Sequence, residues 1–189
     1  NAVLRSGAKV GDLIFVTGML GGAAAGLKLL ENGEHFDIAN TENVESSQSP
    51  NHNLMLRQLK PNSQTIVGKL LPRECLATSA IDLSDGLSSD LRHVCEASGV
   101  GAKIYVDKLP FDVNLLDYSE AEKLDFALNG GEDYELLFTV RPRMARNRSK
   151  LLAKFPSTCI GEITDDAGKI ELVSENEVVT LENRGFQHF

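Results

Sequence analysis

Short apolar runs alternate along the chain with longer stretches in which apolar residues recur at helical spacing. Asp12 to Gly18, DLIFVTG, is rich in β-branched and aromatic residues and ends on glycine, which predicts a buried strand. Ala23 to Leu30 follows a Gly-rich entrance and predicts a helix. Gln64 to Leu71 predicts a short helix, and Ala77 to Leu83 the next strand. Gly86 to Ser98 predicts a helix, because Leu87, Leu91, Val94 and Cys95 fall at i, i+4, i+7 and i+8 and form one apolar stripe. Ser84 or Asp85 is its expected N-cap, and Gly99 stands where the chain would leave it. Ala102 to Asp107 alternates like a strand. Ser119 to Glu122 is a capping-box pattern opening a helix that ends near Gly130. Tyr134 to Val140, YELLFTV, predicts a strong strand. Pro142 to Phe155 predicts a basic helix with Pro in its first turn. Three short strands follow at Ile160 to Thr164, Lys169 to Val173 and Val178 to Leu181.

Between the first helix and the second strand the pattern fails. Asn, Ser, Glu and Gln crowd the start of 31–60, which is expected to be one long polar surface loop and not a domain boundary. Strands and helices interleave, with extra strands near the end. The fold class this predicts is α+β: a layered mixed β-sheet with packed helices, in a single domain over 1–189.

Composition narrows the functional classes. At 189 residues, with 42% hydrophobic and 24% charged residues, the chain has the make-up of an ordinary globular domain. A net charge of -8 argues against a nucleic-acid surface, yet leaves room for anionic ligands held through metal ions. No apolar run approaches the ~18 residues of a membrane span. Cys75, Cys95 and Cys159 are odd in number and far apart, which suits a reducing, cytoplasmic setting. The chain opens on Asn1 without an initiator Met and reads as a piece of something longer.

The chemistry concentrates in AIDLSDGL, residues 80–87. Asp82 stands at the C-terminal end of a predicted strand, the edge where open α/β sheets bind ligands. It interrupts an apolar run. Asp85 lies three residues on, and two like charges about 4 Å apart repel by about 4 kcal/mol at an effective dielectric near 20. Hydrogen bonds, a proton or a cation must offset that. Carboxylates with a hydroxyl between them form the hard-oxygen donor set that holds Mg²⁺ beside phosphates. A second acidic group, Gly130-Gly131-Glu132-Asp133, directly precedes the YELLFTV strand; composition alone leaves a binding site and a turn with solvated charges equally open. The Gly-rich run Thr17 to Gly26 has the look of a phosphate-binding turn, but it lacks the P-loop and Rossmann orders, so close helix–sheet packing is the favoured reading. The histidines, His35, His52, His93 and His188, show no metal spacing, and His93 is expected to be structural.

Several segments in order resemble one family. They are Arg5-Ser6-Gly7-Ala8-Lys9 with Gly11-Asp12, Val16-Thr17-Gly18 with Leu20-Gly21, Ile81 to Leu87, Gly130 to Leu137, and the terminal Gly185-Phe186-Gln187-His188-Phe189. Together they resemble the C-terminal half of the thiamine-monophosphate kinases, within the superfamily of aminoimidazole ribonucleotide synthetase and selenophosphate synthetase. The resemblance implies transfer of the γ-phosphoryl of ATP onto thiamine monophosphate, giving the diphosphate. It implies Asp82 and Asp85 as Mg²⁺ ligands, Ser84 and Arg5 as contacts to ATP as co-substrate, and Glu132 and Phe186 as contacts to the thiamine moiety. It also implies a homodimer in the full-length protein, and an N-terminal domain, absent here, without which the isolated chain is expected to be inactive or nearly so. The chain departs from the family at Gly22 and Ala23, where Asp and Ser are usual, and at Val10, where Pro is common. The first departure is expected to weaken a polar contact near the phosphates. A related ATP-dependent synthetase of the same superfamily and a non-catalytic ligand-binding or assembly module remain as alternatives.

Overall fold

The computed structural model describes residues 2–36, 49–175 and 177–181. Among these residues seven strands form one sheet: β1 (Leu13–Thr17), β2 (Ser79–Asp82), β3 (Gly101–Tyr105), β4 (Leu136–Val140), β5 (Ser157–Thr164), β6 (Ile170–Val173) and β7 (Val178–Thr180). The spatial order is β2-β4-β1-β5-β3-β6-β7. All neighbours are antiparallel except β3 and β6, which run parallel with Ala102 opposite Ile170. Among the described residues seven α-helices accompany it: α1 (Gly22–Glu31), α2 (Pro50–Leu59), α3 (Thr65–Arg73), α4 (Leu87–Ser98), α5 (Glu120–Asn129), α6 (Pro142–Asn147) and α7 (Ser149–Leu152).

The central strands are buried on both faces, which explains why they read as unbroken apolar runs. On β1, Ile14 and Val16 join a cluster with Leu87, Leu91 and Val94 of α4, while Phe15 points the other way into a cluster with Val67 and Leu71 of α3. On β4, Leu137 and Phe138 divide between the same two clusters. The sheet is thus sandwiched, with α4 and α5 on one side and α3 and α7 on the other.

The polar loop expected over 31–60 is corrected: α2 occupies Pro50–Leu59. Its sequence, PNHNLMLRQL, carries a polar average, and only Leu54 and Met55 are buried. A narrow apolar stripe on a polar helix is hard to tell from a loop by composition. Ser49 caps it by accepting from the His52 N–H, and Pro50 sits in its first turn. The helix lies against α1 because Gly26 has no side chain: a Cβ there would stand 2.0 Å from the Leu54 carbonyl oxygen. The basic helix expected over 142–155 is two short helices that meet at Arg148, beside Asn147 and Ser149, which compete with helical bonding. The capping box at Ser119 and Glu122 is present as expected.

Candidate functional site

Two loops meet at the C-terminal end of β2. The first carries Leu83 to Gly86, the second Gly130 to Glu135. Their backbones bond directly: Glu132 N–H donates to the Ser84 carbonyl at 3.0 Å, Tyr134 N–H to the Leu83 carbonyl at 2.9 Å, and Leu83 N–H to the Glu135 carbonyl at 2.8 Å. Glycine permits this crossing. Gly86 has φ +102, and a Cβ on Gly131 would lie 2.5 Å from the Ser84 carbonyl oxygen. SDG and GGED are therefore one built feature.

Asp82 ends β2 opposite Leu136. It is exposed and makes no side-chain hydrogen bond or ion pair among the described residues. Together with Asn62, Ser63, Tyr134 and Leu136 it lines an open cavity of about 460 Å³. A carboxylate at the mouth of a cavity, held by no donor among the described residues, is available to a ligand.

Asp85 is not a cap. Gly86 takes the N-cap position of α4 and offers no side chain. Instead Asp90, in the first turn, reaches back: its Oδ2 accepts from the Ser84 N–H at 3.1 Å and the Asp85 N–H at 3.0 Å. Asp85, Asp90 and His93 each offer a ligand atom within 4.8 Å of one another. Burial of Asp90, opposed by its bond from the Asp85 N–H and reinforced by the charges of Asp85 and Asp82, pushes its carboxyl up to about 6. Three carboxylates thus share one electrostatic neighbourhood, although Asp82 faces the cavity and Asp85 faces Asp90. Both amide bonds to Asp90 land on one oxygen, which leaves the other available. Hard carboxylate oxygens fit Mg²⁺ by donor chemistry, and the imidazole of His93 does not.

Around Glu132 the chain alternates strictly. Glu132 and Tyr134 are exposed, with backbone φ of +70 and +51, while Asp133 and Glu135 are buried. Left-handed backbone at two such residues marks a strained, over-determined turn. The Asp133 carboxylate accepts from the Gly21 N–H at 2.8 Å and the Ala23 N–H at 3.2 Å, so it caps α1. Burial, opposed by these two bonds, pushes its carboxyl up to about 6. The Gly21 and Ala23 amides of the Gly-rich run hold an internal carboxylate, which would repel a phosphate at that turn. Glu135 accepts from the Thr17 hydroxyl and pairs with Arg57 at 3.3 Å.

Of the residues singled out from the sequence, Asp82, Ser84, Asp85 and Glu132 come together on these two loops. Arg5 does not line the cavity. It is exposed, on a segment whose Leu4 carbonyl accepts from the Ala80 N–H at 2.9 Å and so runs along the outer edge of β2. Phe186 lies outside the described residues. Sequence reasoning missed Asp90, whose signal was present: it falls three residues after Leu87, on the buried stripe, where an acid needs a reason. It also missed Arg57 and Gln58, hidden in the supposed loop.

The AIR synthase related protein, C-terminal domain family matches residues 9–173, and the chain belongs to that family. Among its curated relatives is the thiamine-monophosphate kinase of Escherichia coli K12, 42% identical over 192 residues, a match that covers 100% of this chain and 55% of the relative. The solved thiamine-monophosphate kinase of Stenotrophomonas maltophilia superposes with a TM-score of 0.77 at 34% identity, over 94% of this chain and 54% of that one. AaThiL complexed with AMPPCP and TMP superposes at 0.76 and 31%, over 99% and 54%. The chain spans about half the length of the curated relatives it matches.

Proposed function

We propose that this chain is the C-terminal part of an ATP- and Mg²⁺-dependent kinase that converts thiamine monophosphate to thiamine diphosphate. One observation carries the reading: the Glu132 N–H to Ser84 carbonyl bond fastens the two acidic loops together at the end of β2, where Asp82 lines an open cavity. The relatives' names, and the AMPPCP and TMP in the AaThiL complex, supply the reaction. In this reading Asp82 and Asp85 hold Mg²⁺, with Asp90 keeping the Asp85 loop in place. Ser84 and Arg5 meet the ATP phosphates. Glu132 and Phe186 receive the thiamine, a carboxylate suiting an aminopyrimidine donor or a cationic ring and an aromatic face suiting a flat heterocycle.

Transfer between two phosphates is opposed chiefly by crowded negative charge. A metal held by Asp82 and Asp85 would supply positive charge to the crowded phosphates, and Arg5, exposed at the outer edge of β2, would add a cation. The resemblance alone supports a homodimer, and further metal ligands from the part of the relatives' length that this chain does not span. Free thiols at Cys75, Cys95 and Cys159 support a cytoplasmic setting. Among the described residues no helix is long and apolar enough to cross a membrane.

Asp82→Asn in the whole kinase tests the assignment. Because Asp82 is exposed and makes no side-chain bond among the described residues, the melting temperature should move by less than about 2 °C. The kcat should fall by about 100-fold or more. A kcat within twofold of the parent would remove Asp82 from the reaction, and with it the main support for the reading.

A further inference from the structure

We infer that Gln58 is a positioning residue for the substrate carboxylate Glu132, and that α2 serves as the clamp that delivers it. The inference rests on the reading of Glu132 given above.

Glu132 sits on a turn with left-handed backbone and is exposed, so its side chain has room to wander. It makes one side-chain hydrogen bond among the described residues: Gln58 Nε2 donates to its Oε2 at 3.1 Å. An ionised carboxylate only accepts, which fixes the amide orientation, with nitrogen toward Glu132 and oxygen away. Gln58 Oε1 is then turned into the protein, shut off from solvent and without a hydrogen-bond partner among the described residues. A buried acceptor left unmatched is unfavourable. The amide holds this orientation because its other end bonds to a charge, which is the stronger kind of hydrogen bond.

The neighbouring residue shows why Gln58 can act as a clamp. Arg57 is buried to 15% side-chain exposure, donates to the Met19 carbonyl at 2.8 Å, and pairs with Glu135 at 3.3 Å and Asp112 at 3.5 Å. Glu135 lies three residues beyond Glu132 on the same turn. Arg57 therefore ties α2 to the base of that turn while Gln58 holds its tip. With Oε2 occupied by Gln58, Oε1 of Glu132 is left for an N–H donor of the ligand, and an aminopyrimidine carries one. Fixing the carboxylate beforehand removes the ordering that binding would otherwise require.

The test is steady-state kinetics of the whole kinase with four forms: parent, Gln58→Leu, Glu132→Gln and the double variant. In Gln58→Leu, KM for thiamine monophosphate should rise about tenfold, the scale of one charge-assisted hydrogen bond, while KM for ATP and kcat change less than about twofold. Because Gln58 acts through Glu132, adding Gln58→Leu to Glu132→Gln should raise KM by less than about twofold more. General loosening of the fold would lower kcat and affect both substrates alike. If Glu132→Gln raises KM for thiamine monophosphate but Gln58→Leu does not, or if the two changes multiply, the clamp is wrong and the reading of Glu132 stands. If Glu132→Gln itself leaves KM unchanged, that reading fails and the clamp fails with it.

Discussion

At the scale of single residues, buried charge decides most of what is distinctive here. Asp112 and Glu135 are almost fully buried, at 1% and 2% side-chain exposure, and both face Arg57. Two buried carboxylates sharing one guanidinium are tolerable because the pair attraction and hydrogen bonds offset their desolvation. Removing the cation leaves both exposed to that penalty. Arg57→Met keeps much of the stem's packing and deletes the charge, and should destabilise the protein by about 3–5 kcal/mol in urea unfolding monitored by circular dichroism. A loss below about 1 kcal/mol would show that the carboxylates reprotonate or rehydrate freely. One acid of this network was legible from the strand period: Glu135 shares parity with Leu137, so an inward-facing acid follows once YELLFTV is read as a strand. Its cation was not legible, because nothing local announces a partner that lies 78 positions away in sequence.

Elements were read well where periodicity was strong and poorly where it was thin. The two-sided burial of β1 and β4 made unmistakable apolar runs, and the stripe of α4 gave that helix within a residue of its bounds. The helix α2 was missed because two buried residues in ten positions make almost no pattern. Its place depends on a contact instead, the approach of Leu54 to Gly26 on α1. Gly26→Ala tests that dependence. A methyl placed 2.0 Å from a carbonyl oxygen forces the two helices apart, and overpacking of this kind destabilises by about 1–3 kcal/mol. Far-UV circular dichroism should change little, since alanine favours α1 locally. If α2 clamps Glu132, the same variant should also raise KM for thiamine monophosphate. Unchanged stability and kinetics together would mean that α2 can shift without consequence. The loop crossing at Gly86 and Gly131 was half legible in the same sense: the glycines and acids stood out, but which loop met which did not.

Over the whole molecule, the strand order could not be read from local pattern, because β2 pairs with β4 and β1 with both β4 and β5 across long sequence separations. That topology brings the SDG and GGED loops to one end of the sheet, and it also places a carboxylate, Asp133, inside the protein as the cap of α1. The consequence is a defined dependence of stability on pH. The folded Asp133 carboxyl titrates at about 6, above the 3.8 of the free side chain. Between those values the folded state binds more protons than the unfolded state, so this group's contribution falls as pH rises from about 4 to about 6, and is constant above and below. The span corresponds to a fall on the order of 3 kcal/mol. Asp133→Asn cannot lose a proton, and its single amide oxygen can satisfy fewer of the two N–H donors at Gly21 and Ala23. At pH 4 the variant should therefore be the less stable form, by about 1 kcal/mol. By pH 7 the difference should have moved in the variant's favour by about 2–3 kcal/mol. Urea unfolding of both proteins at half-unit steps of pH measures that difference directly. A gap that stays flat from pH 4 to 7 would mean that the α1 amides fully compensate the burial of the charge. Asp133 would then titrate as an ordinary carboxylate despite its place in the interior.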